Sequence, residues 1–227
     1  MGYVSFLINR VVPLLLESKL NSKGLKKLIL NYKPEYLWLS KENLKDFLDK
    51  KIVYSDHGYY LIRINENSPK LNKELALLMS TSGSTGSPKL VRLSYKNLYS
   101  NANSISEYLS LSKSEIPITS MPINYSFGLS IINSHLINGS TILLTSKSVV
   151  QREFWELFKK HKGTSLSGVP HTFETLLKLR FFRMNLPSLK TLTVAGGKLS
   201  KKKIVEYSKF CFEKKINFFV MYGQTEA

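Results

Sequence analysis

The sequence predicts an α/β protein whose mostly parallel sheets are flanked by helices, and three observations carry that prediction. From about residue 116 onward, short apolar runs alternate with segments of helical periodicity, and crossover connections of that kind set successive strands parallel. The 227 residues are 43% hydrophobic, with 12 Phe, 12 Tyr and 2 Trp, enough to bury a core that offsets the chain entropy. Three polar, glycine-bearing strings follow directly on apolar strands, where ligands bind in open α/β sheets.

In chain order, residues 2–16 and 23–31 read as helices, 36–39 as a strand, and 41–49 as a helix capped by Ser40. Residues 51–54 and 59–64 flank Asp56-His57-Gly58, a hairpin signal. An apolar strand at 75–80 runs into a Ser/Thr/Gly cluster, followed by a strand at 90–93 and a helix from Ser94 to about Leu109. Strands at 116–121, 141–145, 164–167, 189–194 and 216–221 then alternate with helices at 126–137, 151–161, 170–180 and 200–214. No repeat, low-complexity segment or Pro/Gly linker marks a domain boundary.

Composition excludes several function classes. The formal charge is +17, from 33 basic and 16 acidic residues. Of the basic residues 27 are Lys, spread over the solvent side of nearly every segment, and only six are Arg. Nucleic-acid readers favour clustered Arg for its bidentate fork, so an ordinary Lys-rich surface is expected rather than a nucleic-acid site. The single Cys211 excludes an internal disulfide or a CxxC zinc site, and a reducing compartment follows. His57, His135, His161 and His171 lack HExxH or HxxxH spacing. The apolar run 6–16 is interrupted by Asn9, Arg10 and Pro13 and is too short to span a membrane. It has neither the basic flank nor the cleavage site of a signal peptide, so a cytoplasmic protein is expected.

Three strand ends carry residues suited to nucleotide chemistry. The first is residues 81–89: Thr81, Ser82, Gly83, Ser84, Thr85, Gly86, Ser87, Pro88 and Lys89. Glycines that turn backbone N–H groups inward, flanking hydroxyls and an ammonium group suit a polyphosphate cradle. On composition alone a flexible Ser/Gly surface loop is the favoured reading, and the string fits neither a Walker A loop nor GxGxxG. The second is Ala195-Gly196-Gly197, which permits close approach of a flat ligand or forms a tight turn. The third is Tyr222-Gly223-Gln224-Thr225-Glu226, an aromatic face beside a hydroxyl and a carboxylate that could hold Mg²⁺.

Taken in order, with Gly168-Val169-Pro170 opening a helix between them, these strings resemble the adenylate-forming superfamily of acyl-CoA synthetases, amino-acid adenylation domains and luciferases. The family's phosphate-loop pattern [ST]-S-G-[ST]-T-G-x-P-K is similar to residues 81–89 throughout, and its Y-G-x-T-E motif to residues 222–226. The resemblance implies that residues 81–89, Lys89 included, wrap the β- and γ-phosphates of ATP. It implies that Gly196 and Gly197 line the adenine pocket, and that Tyr222 with Gly223 stacks on the base. Thr225 would reach the α-phosphate and Glu226 would bind Mg²⁺. Lys89, Thr225 and Glu226 thereby become the expected catalytic residues. The implied reaction is attack of a carboxylate oxygen on the α-phosphorus, giving an acyl-adenylate and pyrophosphate, with transfer to a thiol of coenzyme A or a carrier protein in many members.

Residues 121–129 occupy the place of the family's acyl-pocket motif. Asn124, Tyr125, Phe127 and Gly128 are the substrate-pocket candidates, and they resemble ligase-like proteins of surface-polysaccharide gene clusters. The His or Asp common nearby in the family is absent, which leaves the carboxylate open, and His171 reads as a helix-start residue. The family's ribose-binding Asp, hinge Arg and C-terminal Lys have no counterpart before Ala227. The expectation is a partial AMP-binding domain over residues 1–227, part of the large N-terminal domain and without the C-terminal lid. The competing expectation is an inactive nucleotide-binding remnant or module.

Overall fold

The computed structural model describes residues 2–18, 20–67, 69–80 and 90–226, and the chain divides into two compact units, residues 1–76 and 77–227. In the first unit, α1 (Gly2–Ile8), β1 (Leu14–Leu15) and α2 (Ser22–Tyr32) precede β2 (Tyr36–Ser40). A 3₁₀ helix (Lys41–Phe47) leads to the hairpin of β3 (Lys51–Asp56) and β4 (Tyr59–Arg63). Both turn residues have positive φ, 48° at His57 and 77° at Gly58, the two-residue geometry that matches strand twist. The antiparallel sheet runs β2-β4-β3. One face buries Leu37 and Ile62 with Phe47, and Leu25 and Ile29 of α2 pack against them. On the other face Trp38 stacks on Tyr59 and Tyr54, ring centroids 5.6 and 6.3 Å away.

Two expected helices change form here. The helix expected over 2–16 stops at Ile8: the Asn9 side chain donates to the Ser5 carbonyl, Arg10 turns left-handed at φ 59°, and Pro13 cannot donate. The segment expected as a capped helix over 41–49 is the 3₁₀ helix, because the Ser40 hydroxyl accepts from the Asn43 side chain instead of a backbone N–H.

β5 (Leu75–Ser80) begins in the last two residues of the first unit and continues into the second, where it neighbours β6 (Leu90–Ser94), which runs into α3 (Tyr95–Tyr108). The N-terminus of α3 is a capping box: the Asn97 N–H donates to the Ser94 hydroxyl oxygen, and the Ser94 N–H donates to the Asn97 side chain. Then follow β7 (Pro117–Ile118), α4 (Ser126–Leu136), α5 (Arg152–Lys160), β8 (Ser165–Gly168), α6 (Pro170–Lys178), β9 (Thr191–Val194), α7 (Lys201–Lys214) and β10 (Asn217–Val220). The strands form a parallel sheet in the order β7-β8-β9-β10. The expected strand over 141–145 is reduced to one parallel bridge from Leu143 to Ile118, and that over 116–121 to two residues. Pro117, having no N–H, offers only its carbonyl, which accepts from Leu143.

This order fixes the layers. From β7 the chain crosses through α4 to the outer side, at Leu143, whereas from β8 it crosses through α6 to β9 on the opposite side. Right-handed crossovers then place α4 on one face and α5, α6 and α7 on the other. Packing agrees: Leu166, Leu192 and Val194 share a core with Phe154 and Phe158 of α5, Phe173 and Leu176 of α6, and Tyr207 and Cys211 of α7. The Tyr207 hydroxyl donates to the Phe173 carbonyl at 2.8 Å, locking α7 to α6 inside that core. The alternate strand positions, Ser165, Ser167, Thr191 and Thr193, turn hydroxyls towards α3 and α4. The connections diverge between β7 and β8, a switch point of the kind beyond whose carboxyl ends ligands bind in open sheets.

Candidate active site

The site forms where four segments leave the carboxyl ends of the parallel strands. The segment after β7 carries Met121 to Tyr125 into the start of α4, and that after β8 carries Gly168-Val169-Pro170 into α6. β9 ends in Ala195-Gly196-Gly197, and β10 ends in Met221 and residues 222–226. Phe127 and Ile131 of α4 bury against Ala195, with Met121, Tyr125 and Met221 packed around them. Apolar contacts therefore clamp three of these strand ends together.

Gly196 explains how closely they approach. It sits at φ +78°, and a Cβ there would lie 2.2 Å from the Tyr125 hydroxyl and 3.2 Å from Val169. Only glycine tolerates both that backbone and that contact. The close approach permitted by the Gly-Gly pair is thus made to Tyr125 and the start of α6. Gly128 serves packing in the same way: a Cβ there would lie 2.3 Å from the Pro122 carbonyl oxygen, so the absence of a side chain seats α4 on its own entry turn.

Residues distant in the sequence meet here. The Thr225 hydroxyl lies 3.5 Å from that of Ser126, 99 residues away. Tyr222 is 89% exposed, its ring open to solvent. Gly223 and Glu226 are exposed beside it and Asn124 is half-buried. The structure therefore brings together Tyr125, Phe127, Gly196 and Thr225 from the sequence-predicted set. Thr81, Ser82, Gly83, Ser84, Thr85, Gly86 and Lys89 lie outside the described residues. Among the described residues, no three His, Cys, Asp or Glu side chains converge as a metal cage, and no helix is long and apolar enough to cross a membrane.

Sequence reasoning passed over a second polar layer beneath this mouth. The Thr193 hydroxyl donates to Ser167 at 2.6 Å, and the Ser120 hydroxyl donates to the Ser167 carbonyl. His135 of α4 is 3% exposed; its Nδ1–H donates to the Ile131 carbonyl at 2.7 Å, and burial holds its pKa below the usual histidine value. The readable signal was the alternation Ser165-Leu166-Ser167 and Thr191-Leu192-Thr193, in which hydroxyls share one strand face and leucines the other.

A model of the family described as AMP-binding enzyme matches residues 8–227. The chain is 29% identical over 155 residues to a 2-succinylbenzoate–CoA ligase of Enterococcus faecalis, covering 68% of this chain and 31% of that protein. It is also 29% identical over 155 residues to an acyl-CoA ligase of Aspergillus fumigatus, covering 66% of this chain and 25% of that protein. It spans less than a third of the length of these curated relatives. Among solved structures, an adenylation domain of Vibrio cholerae in complex with glycyl-adenosine-5'-phosphate matches with a TM-score of 0.76 at 19% identity, covering 99% of this chain and 48% of that one. O-succinylbenzoate coenzyme A synthetase of Bacillus subtilis in complex with ATP and magnesium ion matches with a TM-score of 0.58 at 27% identity, covering 72% of this chain and 33% of that one.

Proposed function

The chain belongs to the AMP-binding enzyme family, and on that premise we propose that it serves the ATP-dependent activation of a carboxylic acid as an acyl-adenylate. The observation that carries this reading is the meeting of Tyr125, Gly196 and Thr225 at the carboxyl ends of three parallel-sheet segments. Separately these are turn residues. Together they lie at the carboxyl ends of the strands, where nucleotides bind in open sheets.

In this reading the adenine lies against the open ring of Tyr222 and the Gly196-Gly197 turn, with Gly223 keeping the backbone beside it free of a side chain. The Thr225 hydroxyl orients the α-phosphate, and residues 81–89 with Lys89 oppose the charge of the β- and γ-phosphates. Glu226 is an exposed carboxylate beside that hydroxyl, a donor suited to magnesium, which is usually held by one or two carboxylates with phosphate oxygens and water. When bound there, the ion neutralises phosphate charge. Asn124, Tyr125 and Phe127 form the wall against which the acid lies, and Gly128 seats α4 behind them. Catalysis consists of positioning the carboxylate oxygen in line with the α-phosphorus and stabilising charge as pyrophosphate leaves. The relatives' names support the thiol of coenzyme A as acceptor for the second step, and a carrier-protein thiol is the other acceptor of this reading. A cytoplasmic location and the absence of a nucleic-acid partner belong to the same reading, as does the assignment of residues 1–227 to the large nucleotide-binding domain.

The test is ATP–pyrophosphate exchange by the full-length protein over a panel of carboxylic acids. Lys89→Ala and Glu226→Ala should each lower exchange by about 10²-fold or more, since the first removes a positive charge set against the β- and γ-phosphates and the second removes the carboxylate that would hold magnesium beside them. Undiminished exchange in both variants sinks the site assignment. Nucleotide binding by calorimetry without exchange for any acid would make the chain a binding module.

A further inference from the structure

Between α3, α4 and the hydroxyl face of β8 and β9 lies a narrow, partly open slot of about 10 Å³, room at its end for roughly one water-sized group. Phe127 and Met221 line it at the site mouth, and His135 and Ser165 line it at the opposite end of the strands. Two side-chain atoms there, Nε2 of His135 and the Ser165 hydroxyl, are buried and have no hydrogen-bond partner among the described residues. The residues carrying them are 3% and 4% exposed. Neighbouring hydroxyls are satisfied: Thr193 pairs with Ser167, and Ser134 donates to the Ile131 carbonyl. A buried polar group without a partner is costly, so two in one slot mark a place built for a hydrogen-bonding guest.

The chemistry of that guest follows from the two atoms. Nδ1 of His135 carries the proton given to the Ile131 carbonyl, so in the neutral imidazole Nε2 is an acceptor and asks for an O–H or N–H. The Ser165 hydroxyl can donate or accept. No charged side chain lines the slot, so a carboxylate or ammonium group there would be buried unpaired. The guest is polar, uncharged and small.

We propose that this slot is the far end of the acyl pocket and that His135 and Ser165 select a carboxylic acid whose chain ends in a hydroxyl group. This rests on the carboxylate-activating reading above. The hydroxyl donates to Nε2 of His135 and accepts from Ser165; an acid ending in a methyl group leaves both atoms unpaired, and one ending in a second carboxylate buries its charge.

The experiment compares ATP–pyrophosphate exchange for unbranched acids from butanoate to octanoate, each against its terminally hydroxylated and its dicarboxylic counterpart. At the chain length that fits, the wild-type protein should prefer the hydroxy acid by at least ~10-fold in kcat/KM. His135→Phe should erase or invert that preference while keeping exchange on the alkyl acid, and Ser165→Ala, a milder change should the first variant fold poorly, should narrow it. Preference for the alkyl or dicarboxylic acid, or a hydroxy-acid preference untouched by Ser165→Ala and His135→Phe, overturns the assignment. Exchange with no acid at all is a failure of the carboxylate-activating reading. The slot is then judged by a crystal structure of the protein grown with 6-hydroxyhexanoate: an ordered oxygen bonded to Nε2 of His135 supports a polar guest, and an empty slot overturns it.

Discussion

At the residue scale, the site is governed by what Gly196 lacks. A methyl group there would lie 2.2 Å from the Tyr125 hydroxyl, on a backbone held at φ +78°. Gly196→Ala therefore carries two penalties, backbone strain and a steric conflict, together about 2–4 kcal/mol. Tyr125→Phe removes only the oxygen and should relieve the second penalty while leaving the first. Urea unfolding of both single variants and the double variant should give a coupling of about 1 kcal/mol or more in favour of the pair. Additive single effects would mean that the tyrosine ring does not stand over the glycine. The same cycle separates the site's architecture from its chemistry, since neither substitution changes a charge.

At the element scale, stability and position are linked through α3, which packs on α4 and whose last turn lines the slot through Ile105 and Leu109. Its first turn depends on the reciprocal Ser94–Asn97 bonds of 3.0 and 3.1 Å. Ser94→Ala removes the acceptor for the Asn97 N–H and should cost about 1 kcal/mol, read as a lower urea midpoint with an unchanged m-value. An unmoved midpoint would show that the cap is idle. A serine before a helical pattern was legible in the sequence, as were the βα rhythm, the hairpin around His57-Gly58 and the strand ends that bear Gly196 and Thr225. Other features rest on non-local partners. Residues 141–145 look like a full strand, yet Leu143 makes a single bridge, because the segment it meets contains Pro117. Ser40 looks like a cap until Asn43 takes its hydroxyl. His135 reads as one more helical residue, and its meaning emerges only when the sheet brings Ser165 opposite α4.

At the scale of the whole molecule, the two units have cores of unequal size, and that inequality predicts how the chain opens. In the second unit, β8 and β9 are buried at every position and lie between helices on both faces. In the first, the central cluster is Leu37, Phe47 and Ile62, and all six residues of β3 are exposed. Local opening free energy follows buried contact density, since an amide exchanges only when its surroundings come apart. Amides of β8 and β9 should therefore be the slowest in the chain to exchange with deuterium, and those of β3 among the fastest outside the termini. β10 should fall between, because its ladder to β9 is intact while its ends are exposed. Peptide-resolved mass spectrometry over a time course reads this order directly. Equal protection of β3 and β8 would mean that both units open only by one global unfolding event. The expected gradient would instead place the hydroxyl face beneath the site on the most rigid part of the chain, where a slot for a single small group can keep its dimensions.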